Sequence, residues 1–323
     1  MNKNIALAEV DEINISIIMD NSIDALLVGS QEVQRFDFSA QQLIAEDGFS
    51  AIVAEHGFSA KLEMKCGTNQ GAVLYDTGIS PDGTRHNMEA LGIDINQMQA
   101  IVLSHSHMDH TGGLPALLDK MSTPPIPLVV HPDALLERKL VRPDGYEEET
   151  TAPRLTEQQL SKVHLQKHTE PTLLADNMLL VSGEIERTTA FETGFPLNYT
   201  KYGGQWQHDP LIKDDQCVIV RLRGKGLVVV SGCCHAGVVN TVHYAQKLTG
   251  CDQVYAVLGG FHLTGNIFDK IIPDTLDALR EINPKYLIPG HCTGWSAINQ
   301  IIQTMPEKYI PSCVGTTFCF KGE

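Results

Sequence analysis

The run Ile101-Val102-Leu103-Ser104-His105-Ser106-His107-Met108-Asp109-His110-Thr111-Gly112-Gly113-Leu114 decides how this chain is read. A short apolar strand stops abruptly, four potential metal ligands follow within six residues, and two glycines precede a helical pattern. Imidazole and carboxylate together suit zinc, iron or manganese, and such ligands must be held rigidly to set coordination geometry. His105 and His107, two residues apart, can converge on one ion where the backbone leaves the strand. Asp109 and His110 can then face a neighbouring ion. Gly112 and Gly113 let the chain turn tightly before the helix. One histidine here would read as a solvated turn residue; four ligands in this order read as a metal loop.

Outward from this loop, the chain divides into two kinds of segment. Before it, Ile13 to Met19 alternates in β fashion and turns at Asp20-Asn21. Gln31 to Gly48 reads as helix and loop, Phe49 to Val53 and Ser59 to Met64 as paired strands, and Gly71 to Tyr75 as a strand turning at Asp76-Thr77-Gly78. Asn87 to Leu91 suits a short helix stopped at Gly92. After the loop, strands alternate with helices: helix from Leu114, strand at Pro127 to Val130, helix from Asp133. A hairpin then joins Cys217 to Leu222 with Gly226 to Val230. Helices at Val238 to Leu248, Pro273 to Ile282 and Ala297 to Met305 interleave with strands at Val254 to Leu258 and Tyr286 to Ile288. Such a mixture implies an α/β fold, with sheets flanked by helices. The expectation is one domain over residues 1–323, with insertions at 142–168 and 184–215; the second, carrying Phe191, Phe195, Tyr199, Tyr202 and Trp206, reads as a lid or substrate wall.

Composition narrows the function classes. The chain has 323 residues, 42% of them hydrophobic, and a formal net charge of −15. That charge argues against a general nucleic-acid binder, because phosphate backbones are held chiefly by Lys and Arg. A local basic pocket could still take one small anion, so the expected partner is a small molecule, including anionic ones. No apolar run approaches the roughly 20 residues a membrane helix needs. The N-terminus lacks the basic-then-apolar order of a secretory signal, and the eight cysteines form no CxxC pair. A cytoplasmic protein with reduced thiols is expected.

Two ions need more ligands than one loop supplies. Three later strands end in a histidine beside glycine: Val228 to His235, Val254 to His262 and Tyr286 to His291. His235 is expected to complete the site of His105 and His107, and His291 to join Asp109 and His110. His262 is a substrate-facing or proton-transfer candidate, and Asp109 has a catalytic role as well as a ligand's. Asp76 reads as support that orients a ligand histidine through its free ring nitrogen. His131 could border the site, whereas His164, His168, His208 and His243 read as surface or structural.

His105 to His110 resembles the HxHxDH signature of the metallo-β-lactamase superfamily, and Asp76-Thr77-Gly78 resembles its early strand-end motif. The resemblance covers Ile13 to Phe320 and implies a four-layer αββα sandwich with the metals at the sheets' edge. Within the superfamily, the chain is similar to the subgroup that includes dihydropterin ribofuranosylaminobenzene phosphate synthase. The residues carrying this are Glu55-His56-Gly57-Phe58-Ser59, His86-Asn87-Met88, Leu91-Gly92-Ile93-Asp94 and Asp214-Asp215-Gln216. Ser231-Gly232-Cys233-Cys234-His235-Ala236-Gly237, Gly259-Gly260-Phe261-His262-Leu263 and Gly290-His291-Cys292-Thr293-Gly294 extend it. One departure matters: the superfamily's bridging aspartate is missing where Cys233 and Cys234 stand. Glu184, Cys233, Cys234 or no residue fills its place, which leaves one or two ions as alternatives.

The function expected is a metal-dependent hydrolase that uses a metal-activated water on an ester, lactone, amide or phosphoester bond. Two divalent ions are expected, zinc first, with iron and manganese as alternatives. A condensing synthase is the second reading, with Arg187, Lys201, Arg221 and Arg223 for phosphate and Tyr202 and Trp206 for stacking. A non-catalytic metal-binding protein is the third.

Overall fold

The computed structural model of the protein describes residues 4–39, 44–45, 48–49 and 51–323. Two large sheets face each other. The first has the strand order Val163–Lys167, Ile126–Val130, Ala100–Val102, Asn69–Tyr75, Ser59–Cys66, Glu12–Met19, Thr317–Lys321, Val33–Gln34. The second runs Thr172–Leu174, Leu179–Val181, Cys217–Leu222, Gly226–Ser231, Val254–Gly259, Tyr286–Pro289, with Glu9–Val10 paired to Cys217–Leu222.

Period-two alternation explains how the layers assemble. Ile13, Ile15 and Ile17 of one sheet meet Val218, Val220, Val228, Val230 and Leu258 of the other in a fully buried core. Outward residues such as Leu74, Ile101 and Leu128 pack against Leu114, Leu117 and Leu118 of the helix Leu114–Lys120 and Met88 of the helix Gly83–Ala90. On the other side, Val257 and Leu287 are covered by Val239 and Val242, Leu276 and Leu279, and Ala297 and Ile301. These belong to the helices Val238–Thr249, Ile272–Ile282 and Trp295–Thr304. The result is the expected αββα sandwich.

Several local expectations are corrected. Ser59–Cys66 pairs with Glu12–Met19 and Asn69–Tyr75, while among the described residues Gly48–Phe49 pairs with Ile44–Ala45. Adjacency in sequence suggested a pairing that the stronger apolar alternation of residues 12–19 takes instead. Of the stretch read as helix and loop, Val33–Gln34 is a strand beside Thr317–Lys321, and residues 40–43 and 46–47 lie outside the described residues. The helix from Asp133 is a single 3-10 turn, Pro132–Leu135, because Leu136 is extended and leads into the strand Arg138–Val141. Gly112 and Gly113 have ordinary right-handed backbone; a Cβ there would collide with the carbonyl oxygens of Ile79 and Thr77. Close approach, rather than unusual dihedrals, is what these glycines permit.

The stretches 142–168 and 184–215 are joined through the strand Arg138–Val141. Glu147–Glu149, Arg138–Val141, Asn198–Tyr202 and Gln205–His208 form a separate antiparallel sheet. Val163–Lys167 leaves this group and becomes the parallel edge strand of the first large sheet. No helix among the described residues is long and apolar enough to cross a membrane.

Candidate metal centre

Every candidate ligand sits just past the carboxyl end of a strand. Ala100–Val102 leads to His105 and His107, and the helical turn Met108–Thr111 carries Asp109 and His110. Gly226–Ser231 leads to Cys233 and His235, Val254–Gly259 to His262, and Tyr286–Pro289 to His291. Chain direction within each sheet therefore delivers all of them to one edge of the sandwich.

Two clusters form there. In the first, His105 Nε2 lies 3.0 Å from His107 Nδ1, and His235 Nε2 lies 3.2 Å from each of them. Three ligands of a tetrahedral zinc, each about 2.0–2.1 Å from the ion, have nitrogens roughly 3.3 Å apart. The triangle fits one ion. Burial, with the neighbouring imidazoles, holds His105 and His235 well below the usual histidine range, and burial takes His107 down to about 4. Neutral imidazoles keep the lone pairs that a cation requires.

In the second cluster, Cys233 Sγ lies 3.1 Å from His110 Nε2 and 3.2 Å from His291 Nε2. Asp109 Oδ2 lies 3.4 Å from His110 Nε2 and 3.8 Å from His291 Nε2. These four residues offer donor atoms all within 4.8 Å of one another, as do Cys233, His235 and His262. Burial would raise Asp109, but His110 and His291 outweigh it and hold the carboxyl well below the usual range. Burial would likewise lower His110, but Asp109 and Asp76 outweigh it and hold the imidazole well above its usual value. An incoming cation would displace that proton.

Asp76 supports both clusters. Its Oδ2 accepts from His110 Nδ1 at 2.6 Å and from Ser104 Oγ at 2.6 Å, and its Oδ1 accepts from Ser104 N at 2.6 Å. Ser104 Oγ in turn contacts His105 Nδ1 at 2.9 Å. Fixing the outer nitrogen of His110 leaves Nε2 aimed at the second cluster.

Among the candidates for the missing bridge, Cys233 lies between the clusters. Glu184 pairs with Lys213 at 3.6 Å on a half-exposed surface, and Cys234 packs in the core under the later helices. His262 stands outside both main clusters, 4.3 Å from the His235 ring and against Phe195 and Phe268 at 5.0 and 4.8 Å. His262 and Phe268, with Phe191, Ile267 and Gly194, line a cavity of about 70 Å³. His131 caps the 3-10 turn through Asp133 N and belongs to neither cluster.

Sequence reasoning missed one neighbour of the site. His56 is exposed at its mouth, with Nε2 3.9 Å from Asp109 Oδ2 and its ring 5.5 Å from His291. Its loop is fastened to the metal loop by Phe58 N donating to Asp109 O, and a Cβ on Gly57 would strike that same oxygen. Phe195 stacks over His235 at 5.9 Å, an aromatic from the expected lid. Of the residues suggested for phosphate binding, Arg221 and Arg223 pair with Glu9 and Asp11, and Lys201 with Glu137. Arg187 donates to the carbonyl oxygens of His235 and Leu211. Trp206 lies under Lys139 and Lys201, and Tyr202 donates to Asp133.

Comparison with known proteins is consistent with this geometry. Residues 66–291 match the metallo-beta-lactamase superfamily. A 7,8-dihydropterin-6-methyl-4-(beta-D-ribofuranosyl)-aminobenzene-5'-phosphate synthase of Methanocaldococcus jannaschii is 30% identical over 272 residues, covering 82% of this chain and 91% of that protein. An uncharacterized protein of the same organism is 29% identical over 262 residues, 81% of this chain and 93% of its own length. The solved structure of a metal-dependent hydrolase of the β-lactamase superfamily superimposes with a TM-score of 0.69 at 22% identity, covering 94% of this chain and 98% of that one.

Proposed function

The chain belongs to the metallo-β-lactamase superfamily, and from that premise we propose that it is a dinuclear metal-dependent hydrolase of a small-molecule ester, lactone, amide or phosphoester. The observation that carries this is the pair of adjacent clusters, one of three neutral imidazoles and one of Asp109, His110, Cys233 and His291. We assign His105, His107 and His235 to one divalent ion and the other four residues to a second, with zinc favoured by the imidazole and thiolate donors. Such ions, when bound, supply Lewis-acid polarisation and bring the pKa of a water down to about 7. Asp109, 15% exposed at the mouth, stays ionised and orients the attacking group. His262 faces the aromatic cavity and delivers a proton to the leaving group, while Phe195 and Phe268 exclude water from it.

The chain is read as one domain and a cytoplasmic protein, in keeping with its eight free thiols. Its partner is read as a small molecule, anionic ones included, without nucleic acid or membrane.

A second reading has one specific support, the synthase relative that is 30% identical over most of both chains. A condensing enzyme would need an acceptor, whereas a hydrolase would not. The test is turnover by metal-replete protein on esters, lactones and phosphodiesters, and on a phosphoribosyl donor with and without an aminobenzoate acceptor. Acceptor-independent hydrolysis that disappears in His262→Gln supports the first reading. Turnover only with the acceptor supports the synthase, and none on any substrate leads to a non-catalytic metal-binding protein.

A further inference from the structure

Asp214-Asp215-Gln216 touches the metal loops without supplying a ligand. We propose that these three residues are a brace that sets the geometry of the His105, His107 and His235 triad, an inference that rests on the metal reading above.

Ser106 lies between two of the triad's members, where the backbone has left its strand. Its N–H donates to Asp214 Oδ2 at 2.9 Å. Asp214 Oδ1 accepts from Arg138 Nη2 at 2.6 Å, and both side chains are fully buried. Among the described residues Arg138 Nε and Nη1 have no hydrogen-bond partner, and Nη1 only approaches Asp209 Oδ2 at 3.7 Å, so Asp214 is where the guanidinium's hydrogen bonding is committed. The neighbouring Asp215 Oδ2 accepts from Ala236 N at 2.8 Å, directly after His235. Gln216 N donates to Ser104 O at 3.0 Å, its Nε2 to Leu103 O at 2.8 Å, and its carbonyl accepts from Tyr75 Oη at 2.7 Å.

One tripeptide therefore grips the residues just before His105, between His105 and His107, and just after His235. Metal sites depend on such outer partners for ligand orientation, and losing one weakens binding about 10–100-fold. None of these bonds reaches Asp109, His110, Cys233 or His291. The brace acts on one cluster, while Asp76 holds His110 of the other. A residue needed only for folding would weaken both clusters together.

Cobalt titration of the full chain separates the two. An ion beside Cys233 gives a near-ultraviolet thiolate-to-metal band, whereas the imidazole triad contributes only ligand-field bands in the visible. Asp215→Ala is expected to weaken the visible-band site about 10–100-fold and leave the thiolate band titrating as in wild type. Asp215→Asn, which keeps an acceptor for Ala236 N, restores the triad. For Asp214, the buried Arg138 charge is removed in the same variant so that folding is preserved. Asp214→Asn/Arg138→Met retains the triad site, and Asp214→Ala/Arg138→Met loses it. Equal binding by these last two overturns the brace, as does parallel weakening of both bands with a fall in thermal midpoint. Wild-type protein that takes up no cobalt overturns the metal reading and the brace together; a wild type with both bands and variants indistinguishable from it overturns the brace alone.

Discussion

At the scale of single residues, Asp76 shows how a short motif acquires chemical meaning. It turns out of its strand with a left-handed backbone, φ 58°, and its two oxygens take up Ser104 N, Ser104 Oγ and His110 Nδ1. Asp76→Asn keeps the shape but cannot accept all three bonds as a carboxylate does. It is expected to weaken metal binding about 10–100-fold, measured by competition with a chromophoric chelator. An unchanged affinity would remove Asp76 from its orienting role. The candidate metal loop from His105 to His110 was legible in sequence because four donor residues, three imidazoles and a carboxylate, crowd six positions at a strand end. His235 and His291 were legible for a similar reason, each ending an apolar run beside glycine. Cys233 was only one of several options, since a thiol in an apolar run carries no signal of which way it faces. His56 was invisible as a site residue because its neighbours come from the metal loop, 53 positions away for Asp109.

At the scale of elements, the sheets are tied to one another by polar as well as apolar contacts. Glu32, beside the edge strand Val33–Gln34 of the first sheet, accepts from Tyr255 Oη at 2.6 Å and from Tyr286 Oη, both on the second sheet. Burial would raise this carboxyl, but the two hydroxyls, with Lys225 and Lys285, outweigh it and hold it below its ordinary value of 4.5. A depressed folded-state pKa stabilises the fold above the unfolded value and ceases to do so as pH falls through the folded value. Glu32→Gln should therefore melt below wild type at pH 7, with the gap closing as pH falls below the ordinary value of 4.5 and through the depressed folded-state value. A gap of equal size at both pH values would show that the charge is not what matters. Elements with strong alternation, such as residues 12–19, were legible. The pairing of residues 49–53 was not, because period-two patterning names a strand's faces but not its neighbour.

At the scale of the whole molecule, the inner faces of two sheets make one dry layer and the helices make two outer ones. Leu258 is fully buried in that layer, facing the strands of the other sheet. Leu258→Ala is expected to cost about 2–5 kcal/mol in denaturant unfolding. Trp295→Ala, at a side chain 76% exposed, should change stability by less than about 0.5 kcal/mol. Equal effects would contradict the layer assignment. The order of layers was legible from strand and helix alternation together with the metal loop's resemblance. The small sheet joining residues 138–149 to 198–208 was not, since its strands are short and mostly polar and come from two distant stretches.

The two-cluster centre is tested most directly by anomalous diffraction at the zinc edge from crystals of the zinc-loaded protein. Two peaks are expected, one within bonding distance of His105 Nε2, His107 Nδ1 and His235 Nε2, the other among Asp109, His110, Cys233 and His291. Absence of any peak bonded to the three imidazoles would contradict the metal centre on which the proposed chemistry depends.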